Sequence, residues 1–308
     1  MAASESSSGK GESVGLAGDM EVEAYRRLFP LPFYTRHILE SVRPDARPLN
    51  CARDTTLTLG PVSSADGSAL VKIGETIMLA SIKLEVMTPP VESPDEGSVA
   101  VEFHMPPICS PAVRPGRPAE VAPVISKQLS DVIMRSGMIN LKELCLINGK
   151  ASWMAYLDVY CLNADGSLYD AALFSAVAAF THLQIPLVSV NDDGRVVTVP
   201  GELEGKTKFE LVNKEKRKLS LSNIPFSVTC ILHDKYILVD PTAEEESIME
   251  TFVTVALDTL GNLLSIYKPG GAAPVHASTI KECIVLARSR MQQLMHILKE
   301  SISAMEAD

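Results

Sequence analysis

The stretch Asn163–Phe180, "NADGSLYDAALFSAVAAF", decides how the chain is read. Before it runs "ASWMAYLDVYCL" (151–162), nearly continuous apolar sequence with one acid, as expected of a strand covered on both faces. Asp165 and Gly166 then make a turn, and "DAALFSAVAAF" follows as a helix whose small residues allow close packing on a sheet. A strand–turn–helix junction of this kind presents backbone N–H groups to anions and often holds phosphate. Here the turn offers Ser167, Leu168 and Tyr169, no Arg or Lys, and a second acid, Asp170. The question it raises is whether a phosphate site has lost its chemistry.

Working outward, "TTLTLG", "SALVKIG" and "TIMLASIKLEVM" are rich in β-branched and apolar residues, with "SSADG" and "IGET" as turns. A proline-rich loop follows, and then Val124, Ile125, Leu129, Val132 and Ile133 recur at helical spacing. Beyond the central helix, hairpins are predicted around Asp192–Gly194, His233–Lys235 and Thr259–Asn262. Ile280, Ile284, Ala287, Met291, Leu294 and Leu298 form the apolar stripe of a long helix from Ser278 to Met305. At the other end, residues 1–20 are Ser/Gly-rich and expected to be a disordered tail. Residues 21–42 read as two short helical pieces split by Pro30 and Pro32, an aromatic arm packed on this domain or a neighbour. The fold class is therefore α+β: β-rich, helix, strand, helix, β-rich, long helix. A single domain spans 21–308, with a first half to 190 that includes the arm and a second half over 191–308.

The bulk numbers bound the function. The 308 residues suffice for a substantial core, and no apolar run reaches the roughly 18 residues of a membrane span. Six scattered cysteines without a CxxC pair read as buried free thiols in a reducing compartment. The net charge of −10 argues against a protein that grips nucleic acid on its own. RNA contact would have to use local basic patches. Two exist: Arg114 and Arg117 in the proline-rich loop with Lys127 nearby, and a run holding Lys214, Lys216, Arg217 and Lys218. Each is read either as solvated surface or as an RNA or partner contact.

Several chemistries lack their sequence signals. There is no Walker loop, no GxGxxG after a strand, no HExxH and no GxSxG elbow. No cofactor or metal site is predicted. The acidic segment "VDPTAEEESIME" (Asp240, Glu244, Glu245, Glu246, Glu250) could hold Mg²⁺ or supply a general acid. Composition favours a turn into a helix whose acids complement its dipole.

Taken in order, these segments resemble the RNase PH-like proteins, from about Arg43 to the C-terminal helix. "RPDAR" (43–47) resembles the family's RxDGR, with Ala46 where Gly is usual. "SSADGSALVKIGET" resembles its GSAxxxxGxT hairpin, and "WMAYLDVYCLNADG" its strand ending in Asp-Gly. "ILVDPTAEEE" and "YKPGG" stand in the expected places of the second half. Through "MPPICSPAVRPGRP", "DPTAEEE" and "KPGG", the chain is most similar to a ring subunit of the eukaryotic RNA exosome, of the non-catalytic type called exosome component eight in animals.

The resemblance implies the RNase PH-like fold, with ribosomal-protein-like βαβ units. It also implies a degenerate centre. Phosphorolytic members read approximately ADGGTRTA where this chain reads "ADGSLYDA", so Leu168 and Tyr169 replace the Thr-Arg that holds phosphate. Glu244 falls at the later catalytic carboxylate. The implied role is a non-catalytic subunit that builds the channel of a hetero-hexameric ring and contacts RNA. Its implied partners are other RNase PH-like chains, RNA-binding cap subunits and associated exoribonucleases, and not a membrane. The implied setting is nucleus, nucleolus and cytoplasm, in rRNA processing and mRNA turnover. The alternative is a phosphate-dependent 3′→5′ exoribonuclease in which Arg114 or Arg117 replaces the lost Arg and Glu244 or Asp240 is the acid.

Overall fold

The computed structural model describes residues 11–186, 188–190, 196–198, 216–271 and 274–307. Helix α1 (Gly11–Leu28) and helix α2 (Pro30–Leu39) form the arm. The chain breaks at Phe29, and Pro30 and Pro32 sit in the first turn of α2, where no intrahelical N–H is needed. The arm is helical as expected; of the tail expected to be disordered, residues 1–10 lie outside the described residues and residues 11–20 are helical, continuous with the good helix formers of "MEVEAYRRL".

Strands β1 (Thr55–Leu59), β2 (Gly67–Ile73), β3 (Thr76–Met87) and β4 (Ser98–His104) precede helix α3 (Val121–Ser136). Strands β5 (Cys145–Ile147) and β6 (Ala151–Asn163) follow, then helix α4 (Leu168–His182). The first sheet has the order β1-β2-β3-β6-β4, with β5 on β6. Its β2–β3 hairpin turns at Gly74–Glu75, with Ile73 opposite Thr76. Strands β4 and β6 run parallel with α3 in the crossover, a βαβ unit. Ile125, Leu129, Val132 and Ile133 of α3 are buried as their spacing predicts, whereas Val124 is exposed.

Short strands β7 (Gln184–Pro186), β8 (Val188–Val190), β9 (Val196–Thr198) and β10 (Lys216–Lys218) join the halves. Strand β8 pairs with β9 as the hairpin reading requires, and the turn itself lies outside the described residues. The second sheet is β12-β11-β13-β14, from β11 (Phe226–His233), β12 (Tyr236–Val239), β13 (Phe252–Leu257) and β14 (Leu263–Tyr267). Helix α5 (Ala243–Ile248) lies between β12 and β13, and helix α6 (Ala277–Ala307) closes the chain.

Helix α4 explains the architecture. Asp170 through Phe180 are all buried. A helix apolar on every side must be covered on every side, and α4 packs on β2 and β3 of one sheet and on β11 of the other. Helix α6 adds Cys283, Ala287, Met291, Leu294 and Leu298 to the same core. A further correction concerns β6. It is buried on a single face, and Tyr156, Tyr160 and Leu162 stay partly exposed on the other. The open face of a strand can be apolar where another surface covers it, so the run of apolar residues overstated its burial within this chain.

Candidate functional site

The turn before α4 is held from both halves of the chain. Thr76 Oγ1 donates to the Gly166 carbonyl at 2.8 Å and accepts from the Asp165 N–H at 3.2 Å. The Ala243 N–H donates to Asp165 Oδ1 at 3.2 Å, and Ser167 Oγ donates to the Pro241 carbonyl at 3.3 Å. Gly166 has φ +75°, and a Cβ there would collide with the Pro241 carbonyl oxygen and come within 2.6 Å of the Thr242 carbonyl carbon. The segment Pro241–Ala243 therefore lies directly on the turn.

The anion position at the start of α4 is filled by the protein itself. The Ser167 N–H donates to Glu246 Oε1 at 2.7 Å. Burial, with Asp170 and Asp240 near, pushes the Glu246 carboxyl up to about 7 although this hydrogen bond pulls the other way. The Leu168 side chain contributes no donor, and Tyr169 is packed against the core. Burial raises the Tyr169 phenol well above its ordinary value, so its hydroxyl stays neutral. Asp170, which as a sequence adds negative charge to the turn, faces elsewhere. It accepts from Ser227 Oγ at 2.6 Å and from the Thr229 N–H at 2.6 Å, joining α4 to β11. Burial raises it to about 6.

The positive charge beside the turn is already neutralised. Arg53 is buried, with Nη2 2.7 Å from Asp240 Oδ1 and Nε 3.0 Å from Asp240 Oδ2. Its Nη1 pairs with Asp165 at 3.2 Å. These bonds hold Asp240 below its ordinary value despite burial. Next to this pair, buried Arg43 binds the Glu245 carboxylate and the Val239 carbonyl, the latter at 2.6 Å. Glu245 also closes the capping box of α5 with Thr242. Each acid of 240–246 thus has its own partner. The cap and dipole role that composition favours describes Glu245, and a shared Mg²⁺ cluster does not form.

Glu244 lies on the far side of α5. It accepts from Tyr34 Oη at 2.6 Å and pairs with Arg26, both from the arm. The acid brought to the turn is Glu246, two residues on. Glu246 was named only as one acid of its segment, and Arg53 was not singled out at all, because Arg53 and Asp240 meet across 187 positions. Another grouping invisible in the sequence lies on the open face of the first sheet. Glu102, His104 and Asp158 bring ligand atoms within 4.8 Å of one another, with the His104 ring stacked on Tyr160.

The basic residues divide. Arg114 and Arg117 are exposed in the proline-rich loop, and neither forms an ion pair among the described residues. That loop is anchored near the turn, where the Ala164 N–H donates to the Cys109 carbonyl at 3.1 Å. Lys127 is exposed on α3 and pairs with Asp131 at 2.8 Å. Lys216, Arg217 and Lys218 are exposed along β10; Arg217 donates to the Glu143 carbonyl at 2.6 Å and Lys218 pairs with Glu306 at 2.8 Å. Lys214 lies outside the described residues. No helix among the described residues is long and apolar enough to cross a membrane.

Comparison with known proteins agrees with this frame. Residues 52–186 match domain 1 of the 3′ exoribonuclease family, RNase PH, and residues 223–290 match its domain 2. The chain is 31% identical over 266 residues to exosome complex component rrp43 of Schizosaccharomyces pombe, covering 86% of this chain and 94% of that protein. It is 32% identical over 261 residues to exosome complex component Rrp42 of Methanopyrus kandleri, covering 84% and 92%. Among solved structures, a chain of the Archaeoglobus fulgidus exosome with RNA bound to the active site superposes with a TM-score of 0.73 at 24% identity, covering 90% of this chain and 98% of that one. The curled sheets, the central helix and the long terminal helix are thus shared with exosome chains, and the protein belongs to the RNase PH family of 3′ exoribonucleases.

Proposed function

We propose that this chain is a non-catalytic structural subunit of an RNA exosome ring, supporting 3′→5′ RNA processing and degradation by building the channel and contacting RNA. The observation that carries the reading is the start of α4. Its Ser167 N–H is taken by the Glu246 carboxylate, and the adjacent guanidinium of Arg53 is spent on Asp240 and Asp165. A phosphate dianion at the Ser167 N–H would meet a carboxylate already in place. The exosome components among its relatives support the ring role. The partners would be other RNase PH-like chains, cap subunits and associated nucleases, in nucleus, nucleolus and cytoplasm. Exposed Arg114 and Arg117 are the first candidates for RNA contact, with Lys216 second.

The test is phosphate-dependent shortening of a 5′-labelled RNA with release of nucleoside diphosphates, by the purified chain and by the reconstituted ring. The chain alone is expected to release none. Release that requires phosphate and is lost in Glu246→Gln or Glu244→Gln would establish phosphorolysis and overturn the reading.

A further inference from the structure

Arg290, on α6, is a buried cation with no carboxylate of its own. It is 9% exposed, and among the described residues no carboxylate oxygen comes within 4.0 Å of its guanidinium. Its neighbours Arg43, Arg47 and Arg53 each have one. The contacts Arg290 does make are neutral: Nη2 donates to Thr55 Oγ1 at 2.5 Å and to the Arg53 carbonyl at 3.4 Å, and Nη1 to Gln293 Oε1 at 3.2 Å. A guanidinium carries five N–H groups, so donors remain. Burial pulls its pKa below the ordinary value, with Asp240 and Asp170 opposing and Arg53 adding to the effect. A buried charge normally comes with a counter-charge, because leaving it alone costs solvation that nothing returns.

Space for a counter-ion lies on both sides of Arg290. A cleft of about 780 Å³ runs between the segment Cys51–Thr55 and α6. A smaller one of about 220 Å³ lies toward Asn50 and Val239. Arg290 and Gln293 line both. Gln292 and His296 from α6, and Asn50 from the facing segment, add groups that can donate hydrogen bonds. Asp54 is the acid lining the larger cleft, and His296 is paired with Glu300 at 3.3 Å. The turn before α4 is a different place: Arg53 touches it with its side chain and meets Arg290 through its own carbonyl.

We propose that the cleft between Cys51–Thr55 and α6 binds a phosphoryl group, with the Arg290 guanidinium as its charged donor and Gln292 and Gln293 as neutral ones. The group comes either as free phosphate or as a phosphate of RNA. Charge-assisted bonds from a partly desolvated guanidinium suit a tetrahedral dianion. The inference is independent of the non-catalytic reading, since it concerns a second site whichever way the turn behaves.

The probe is inorganic phosphate, titrated into the full-length chain at constant ionic strength with the ¹⁵Nε–H resonances of arginine observed by NMR. Arg290→Lys identifies the resonance. A saturable shift of that signal, its affinity weakened about tenfold in Gln292→Ala/Gln293→Ala, is expected; both side chains are surface-exposed, and an unchanged urea midpoint of the variant checks that it folds. A single-stranded RNA that displaces phosphate assigns the site to RNA; an RNA that leaves it in place assigns it to the free ion. No shift of the Arg290 signal at phosphate concentrations that move exposed arginines, or a shift that the glutamine variants leave unchanged, overturns the proposal. Failure here leaves the phosphorolysis assay of the turn untouched, so the two readings fall separately.

Discussion

Ala46 carries a conformation that its side chain resists. Its φ is +65°, in the turn closed by Ala46 N–H to the Arg43 carbonyl at 2.9 Å. An L-residue with a Cβ pays about 1 kcal/mol there, and a glycine pays nothing on that account. The turn is retained because Arg43, beside it, is locked to Glu245 and Val239. Ala46→Gly is therefore expected to stabilise the chain by about 0.5–1 kcal/mol, net of glycine's greater freedom when unfolded. A rise in urea midpoint with unchanged slope would register it, and no rise would mean the turn is unstrained. At this scale the sequence was partly legible. The resemblance marked position 46 as unusual, and the absence of Arg or Lys in the four positions after Gly166 could be read directly. The Arg53–Asp240 pair and the carboxylate on Ser167 could not, because no local pattern announces a contact between distant segments.

Helix α4 is tied to its neighbours through two carboxyls whose proton affinity is raised by burial: Glu246 of α5, on the Ser167 N–H, and Asp170 of α4 itself, bonded to β11. Glu246 moves from 4.5 to about 7 and Asp170 from 3.8 to about 6. In each case the folded protein holds the proton more tightly than the unfolded chain. The stabilisation is complete below the ordinary carboxyl range and is lost as pH rises through the folded values. The thermal midpoint is expected to fall between about pH 4.5 and 7 and then level off. Glu246→Gln, which keeps an acceptor for the Ser167 N–H, should flatten the upper part of that slope and leave the Asp170 part below about pH 6. A profile identical to the parent would show that Glu246 is solvated. Most elements were legible because their periods were clean: α3, α6 and the β11–β12 and β13–β14 hairpins fall where apolar spacing and turn residues place them. Strand β6 was misjudged for a physical reason. A uniformly apolar strand does not say whether its second face is covered by the same chain or by another.

That open face matters for the whole molecule. Tyr156, Tyr160 and Leu162 are 39%, 41% and 43% exposed on one side of a sheet whose other side is the core. An isolated chain with such a surface tends to associate. Tyr156→Lys/Leu162→Lys should lower its self-association in sedimentation while leaving its unfolding free energy in urea within about 0.5 kcal/mol, as substitutions on an exposed surface do. Aggregation equal to the parent would direct attention to the arm, where Leu28, Phe29 and Leu39 are also exposed. The central helix sets a different constraint, on the order of synthesis. Helix α4 ends at His182, but the sheet that covers its second side is complete only at Tyr267, 85 residues later (267 − 182). At the 5–20 residues per second of translation, that interval is roughly 4–17 s. For those seconds a helix with no polar side is shielded on one side only. A nascent chain stalled in this window offers the cell its stickiest surface, so premature stop codons between the two sheets should yield products that chaperones retain and proteases clear.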